Sequence, residues 1–208
     1  MPTRRPALLL LGPTGSGKTP LGELLEAEGF HGRRCAHFDF GAHLRRIDKT
    51  GVAPEGLGKA DVAWIRRVLH QGALLENKHF HLARAIFEGF VREKQLGPNH
   101  WLVLNGLPRH VGQAADVDAM VDVRAVIYLR CPAEVVRQRI CLNTGGDRFD
   151  RADDLLDRIA AKLRVFKKRT LPLIEHYRSA GAQIVEVEVG SRSTPQEVLQ
   201  TVESRLLI

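Results

Sequence analysis

The sequence predicts an α/β fold, a five-stranded parallel sheet flanked by helices. Three observations lead there. Short apolar runs alternate with longer helical patterns along the chain, an order that needs crossover helices between parallel strands. The first run, Ala7–Leu11, breaks into Gly12-Pro13-Thr14-Gly15-Ser16-Gly17-Lys18-Thr19 and then resumes as a helix. With 208 residues, 44% of them hydrophobic, the chain has material for one domain with a sizeable core.

The candidate strands are Ala7–Leu11, Cys35–Asp39, Trp101–Asn105, Ala125–Arg130 and Gln183–Val189. The first and fourth are apolar enough for a sheet buried on both faces. The last alternates Ile184, Val185, Val187 and Val189 with Glu186 and Glu188, which suits an edge. Helix boundaries are readable locally. Thr194-Pro195-Gln196-Glu197 is a capping box with proline at the first helical position. Gly181 is placed to end the helix before it, and Asp153-Asp154 favour the N-terminus of the helix that follows them. Two segments interrupt the alternation. Arg45 to about Gln95 holds roughly three helical pieces, more than one crossover needs. Trp64, Ile65, Leu69, Phe80, Ile86, Phe87 and Phe90 are expected to pack a core within it. The other is the polar, glycine-bearing Cys141–Asp150. Mobile segments over the C-terminal edge of a parallel sheet are where ligands are covered.

A net charge of +7 and a pI near 9.7 fit either attraction for anions or a solvated basic face. Cys35, Cys131 and Cys141 are odd in number and lack metal-ligand spacing, as expected of a reduced, cytoplasmic protein. The N-terminal apolar run is too short for a signal peptide, and no stretch approaches the ~20 apolar residues of a membrane span. His79 and His81 would point to different sides of a helix, so no metal site is expected there.

The stretch from Gly12 to Thr19 fits G-x-x-x-x-G-K-[ST] without mismatch. Its glycines let the backbone curl so that N–H groups meet phosphate oxygens, and the next helix aims its positive end at the same place. Lys18 would serve the β- and γ-phosphates and Thr19 would offer a hydroxyl to Mg²⁺. Pro20 falls in the first helical turn, where a missing N–H costs little. GTPases, ATPases and small-molecule kinases all share such a loop; no NKxD stretch is present.

Four further stretches narrow the choice. Asn105-Gly106-Leu107-Pro108-Arg109, followed by Gln113, resembles the D-G-[FY]-P-R-x-x-x-Q signature of adenylate kinases and related nucleoside monophosphate kinases. Arg151-Ala152-Asp153-Asp154 resembles their R-x-D-D, and Thr170 to Tyr177 their T-x-P-[LV]-I-x-x-Y. Gly41 to Arg45 resembles a degraded G-D-L-L-R. The resemblance implies a P-loop kinase core over residues 1–44 and 96–208, an NMP-binding insert over about 45–95 and a short, zinc-free lid over about 139–152. It further implies an acceptor site of Gly41, Arg45, Gly106 and Arg109, with Gln113 reading the base. Arg139, Arg148 and Arg151 would close on the transferring phosphoryl group, and Gly190 would join the ATP-binding loop. The implied reaction is transfer from MgATP to a nucleoside monophosphate, AMP by default, by a monomer with no membrane or nucleic-acid partner expected. Such transfer needs positioning and charge neutralisation more than a base.

Four residues depart from the family pattern. Asn105 stands where an Asp orients the metal's water, Phe40 replaces a Thr beside the acceptor base, and Ala42 replaces the Asp of G-D-L-L-R. Lys162 takes the position of an arginine, with Arg158 one turn earlier on the same face. Asp39, ending the second strand, could orient a substrate hydroxyl, cap the next helix or restore the metal-side charge. A P-loop kinase with a hydroxyl acceptor and a catalytically weakened nucleotide-binding homologue therefore stay open.

Overall fold

A computed structural model describes residues 4–71, 75–97, 99–146 and 156–206. The chain runs β1 (Arg5–Leu11), α1 (Lys18–Glu28), β2 (Cys35–Asp39), α2 (Phe40–Thr50), α3 (Lys59–Gln71) and α4 (Phe80–Glu93). It continues through β3 (Trp101–Asn105), α5 (Ala114–Asp118), β4 (Val121–Arg130) and α6 (Ala133–Cys141). It ends with α7 (Leu156–Val165), a π-turn at Phe166–Thr170, α8 (Leu173–Ser179), β5 (Gln183–Glu188) and α9 (Pro195–Arg205). The five strands are parallel, in the order β2-β3-β1-β4-β5.

This order explains the composition of each strand. β1 lies at the centre, and its residues alternate between two cores: Ala7, Leu9 and Leu11 face one, Leu8 and Leu10 the other. A strand with helices over both faces has no polar side, hence its unbroken apolar run. β5 is at the edge, and its alternate glutamates stay in solvent. β4 starts four residues before the predicted Ala125. Its polar opening, Asp122 and Arg124, hides the strand from an apolar count. The register slips between Ala7 and Leu8, so that Arg124 is passed over and the alternation of β4 restarts at Ala125.

One core lies under α1, α6, α7 and α9 through Leu21, Leu25, Val136, Ile159, Val198 and Val202. The other joins the sheet to α8 and to the insert, where Ile65, Phe80, Ile86, Phe87 and Phe90 pack continuously with Leu9, Phe38 and Leu104. The described residues of the insert thus share the core of the sheet. The helix signals translate directly. Thr194 and Glu197 form the reciprocal capping box with Pro195 at the start of α9, and Gly181 has φ +90° just past α8. Asp153 and Asp154 lie outside the described residues. α1 approaches β2 closely at Gly22, where an added Cβ would stand 2.3 Å from His37 Nε2. That contact packs α1 closely against the middle of β2.

Candidate active site

Parallel strands end on one edge, so Leu11, Asp39 and Asn105 emerge together. Asn105 is opposite Asp39 on one side and Leu10 on the other. The loop from Gly12 therefore leaves the sheet beside both side chains. Gly15 and Gly17 have φ of +74° and +94°, a region L-residues with side chains rarely enter. Gly17 caps α1 without a side-chain hydrogen bond, and no acidic residue occupies the first turn. The start of α1 therefore carries no side-chain cap or carboxylate of its own, and the positive end of a helix favours an anion there. Lys18 Nζ lies across the loop, donating to Gly12 O at 2.8 Å and Pro13 O at 2.7 Å.

Beside it is a polar corner. Thr19 Oγ1 donates to Asp39 Oδ2 at 2.8 Å, and Asn105 Nδ2 donates to the same oxygen at 2.9 Å and to Thr19 Oγ1 at 3.1 Å. Asp39 Oδ1 accepts from Ala42 N at 2.8 Å and so also caps α2. Of the three roles open for Asp39, the helix cap is the one its Oδ1 fills, while Oδ2 accepts from Thr19 and Asn105. Burial pushes its carboxyl up, but the Ala42 amide, the Thr19 hydroxyl and the charges of Arg45 and His37 outweigh burial and hold it below the ordinary carboxylate range. It is an anion at neutral pH.

A single cleft connects this corner to the insert. Gly12, Thr14, Gly15, Gly17, Lys18 and Thr19 line it, as do Gly41, Arg45, Gly106 and Arg109, which sit together, and Lys162 and Thr170. Arg45 folds back over Gly41, where an added Cβ would meet its Nη1 at 3.1 Å. Arg109 is held by its backbone: Gln113 Oε1 accepts from Arg109 N at 2.8 Å, and Thr170 Oγ1 donates to Arg109 O at 2.7 Å. Burial pushes the Arg109 guanidinium down from the usual arginine range, and the Asp39 carboxylate opposes that.

No family model matches the chain. Among curated proteins, the adenylate kinase of Parasynechococcus marenigrum is 32% identical over 94% of this chain and 95% of its own length. The adenylate kinase of a Synechococcus strain is 30% identical over 88% and 91%, respectively. The chain belongs to the adenylate kinase family. Another adenylate kinase, from a Hydrogenobaculum species, is 28% identical over 96% of the chain and 99% of its length. Solved structures of P-loop kinases share the fold: shikimate kinase from Acinetobacter baumannii in complex with shikimate (TM-score 0.50, 21% identity, 98% of this chain and 96% of that one) and a gluconokinase from Sinorhizobium meliloti (TM-score 0.52, 14% identity, 97% and 91%). This adenylate kinase-family protein is a phosphotransferase with a nucleotide-binding loop.

Several expected site residues of this kinase sit differently from the expectation. Gln113 is fully buried, with its amide between Leu75 O (2.8 Å) and Arg109 N, and it does not line the cleft. Arg139 is 4% exposed. Its Nε donates to Gly15 O at 3.0 Å, and Nη1 donates to Gly190 O at 2.8 Å and Ser193 O at 3.0 Å. It therefore ties the phosphate loop to the turn after β5, and Gly190 enters through that tie. Arg148 and Arg151 lie outside the described residues. Cys141 is exposed, while burial pushes the Cys35 thiol up to about 12. Sequence reasoning missed the apolar wall of the cleft at Leu44 and Val68, although α3 carries apolar residues at helical spacing.

Proposed function

We propose that this protein transfers the γ-phosphoryl group of MgATP to a nucleoside monophosphate, giving two nucleoside diphosphates, with AMP as the default acceptor. One observation carries the reading: cations from three remote stretches, Lys18, Arg45 and Arg109, line one cleft. Two polyanions can meet there only if cations neutralise both, and a planar guanidinium donates two bonds at once to phosphate oxygens. An arginine pair at the acceptor end suits a phosphate better than a hydroxyl.

The loop amides and Lys18 would hold the donor phosphates, and Arg45 and Arg109 the acceptor phosphate. Lys162, also on the cleft, would add positive charge at the side. Arg139 would keep Gly15 in place for the donor. Mg²⁺ fits the corner because its donors are hard oxygens: the Thr19 hydroxyl and the Asp39 carboxylate, with the Asn105 amide beside them. Among the described residues no cluster of three or more His, Cys, Asp or Glu could hold a metal, but Mg²⁺ needs only one or two carboxylates plus substrate phosphates. When bound, the ion would neutralise charge developing on the bridging oxygens. Asp39 then supplies the negative charge that Asn105 lacks.

A hydroxyl acceptor is the second reading, favoured by Asp39 lining the cleft. Against it, the depressed pKa of Asp39 weakens it as a base, and Thr19 and Asn105 already occupy Oδ2. An ADP-coupled assay with AMP, CMP, UMP and GMP, and separately with shikimate and gluconate, tests the choice. Turnover on a monophosphate is expected. Turnover on a hydroxyl compound alone would replace the reading, and a blank throughout with ATP bound would mean a weakened homologue.

A further inference from the structure

A closed ring of hydrogen bonds joins three segments that lie far apart in the chain. Arg109 lends its backbone twice: its N–H donates to Gln113 Oε1 at 2.8 Å, and its carbonyl accepts from Thr170 Oγ1 at 2.7 Å. Gln113 Nε2 and His110 Nε2 reach Leu75 O at 2.8 and 3.1 Å, just ahead of α4. The next residue, Glu76, closes the ring. Its two carboxylate oxygens accept from Arg169 Nη1 at 2.6 Å and Nη2 at 3.0 Å, and Arg169 adjoins Thr170 in the chain. Those bonds hold the Glu76 carboxyl below the ordinary carboxylate range. The π-turn gives this segment its reach. Leu171 N donates to Phe166 O at 2.9 Å, which closes a turn one residue longer than an α-helical one. From that turn Phe166 and Thr170 line the cleft, while Arg169 crosses to the insert. Leu75 and Arg109 line the cleft as well; within the ring, Arg169 and Glu76 lie off its wall.

We infer, resting on the monophosphate-kinase reading, that Arg169 and Glu76 are positioning residues: their ion pair holds the insert at Leu75 and the backbone of Arg109 in one arrangement, so that a monophosphate meets a preformed site. A site already ordered spares the ligand the cost of ordering it. The pair is partly exposed, and pairs of that kind contribute modestly, although two parallel guanidinium bonds favour this one. Its loss should weaken monophosphate binding by at most about fivefold. The sign of one effect separates positioning from plain charge attraction. Glu76 is a negative charge near the proposed site of an anion, so by charge alone Glu76→Gln would tighten monophosphate binding. By positioning it weakens it.

The test is steady-state kinetics with AMP, or with CMP, UMP or GMP where that turns over faster, for wild type, Glu76→Gln, Arg169→Met and the double variant. Each single change is expected to raise KM for the monophosphate about two- to fivefold with kcat unchanged, the mark of lost uniform binding. KM for MgATP should stay at the wild-type value, and Tm should fall by no more than about 4 °C. The double variant should be no worse than the more affected single one, because both remove the same pair. A Glu76→Gln enzyme whose monophosphate KM is unchanged or lower overturns the inference, as do single effects that multiply in the double variant. So does an equal rise in both KM values. Each of these leaves the monophosphate reading standing. No transfer to any of the four monophosphates, with MgATP binding intact, defeats that reading and the inference with it.

Discussion

Replacing Asp39 by Asn removes one negative charge from the corner proposed to hold Mg²⁺ and changes little else. Asn is as good a helix N-cap as Asp, so the bond from Ala42 N to the side chain survives. The new amide would face Asn105 Nδ2, which now donates to Oδ2 at 2.9 Å, but rotating the Asn105 amide restores a donor–acceptor pair. The net stability loss should stay near ~1 kcal/mol, the net worth of one hydrogen bond. For a chain of this length that is a fall of about 2–4 °C in Tm. The effect on metal use should be larger. Residues around a bound metal typically change affinity or activity by about 10- to 100-fold. That corresponds to ~1.4–2.7 kcal/mol. The assay is initial rate against Mg²⁺ concentration at fixed ATP and AMP. D39N should need about 10- to 100-fold more Mg²⁺ for half-maximal rate, and the exchange D39N/N105D should recover most of the loss. Asp39 and Asn105 are register partners on β2 and β3, so the exchange moves the charge across one strand spacing. A D39N enzyme with wild-type Mg²⁺ dependence would refute the reasoning. So would a collapse that excess Mg²⁺ leaves untouched, which is what a base acting on a hydroxyl acceptor would give.

Arg139→Ala strips three backbone carbonyls of their donor and should cost on the order of 3 kcal/mol, read as a Tm lowered by several degrees together with weaker ATP binding. A wild-type melt with a reduced kcat would instead put Arg139 on the transferring group. Gly22→Ala places a Cβ 2.3 Å from His37 and should destabilise by ~1–3 kcal/mol in a denaturant titration; an unchanged midpoint would mean α1 and β2 are less tightly set than described. Burial, the largest cause at each, lowers the pKa of His37 and His43 below the ordinary ~6.5, so the unfolded chain takes up protons first on acidification. Stability should therefore be full above about pH 6.5 and fall as pH drops below it, and His37→Gln should flatten that slope in melts from pH 7 to 5.

Much of this was legible before any coordinates. β1 and the phosphate loop are local signals, and the edge position of β5 follows from its exposed glutamates. The capping box of α9 needed no more than four adjacent residues. What the sequence concealed depends on contacts far along the chain. The continuity of the insert's core with the sheet comes from Phe38 meeting Phe87 and Phe90 at ring distances of 5.3 and 5.2 Å. A motif match names the residue types at 113 and 139 but not what surrounds them. Gln113 is drawn to Leu75 O and Arg139 to Gly15, Gly190 and Ser193, partners 38 to 124 positions away. Asp39 was ambiguous because a carboxylate has two oxygens: one caps α2 and the other accepts from Thr19 and Asn105.

Phosphorus NMR of MgATP mixed with AMP and the enzyme tests the central claim most directly, because it counts products. Direct transfer predicts two ADP formed for each ATP consumed, without inorganic phosphate, and neither product with Lys18→Ala. One ADP and one inorganic phosphate per ATP, or an AMP signal that never declines while ATP is used, would contradict it.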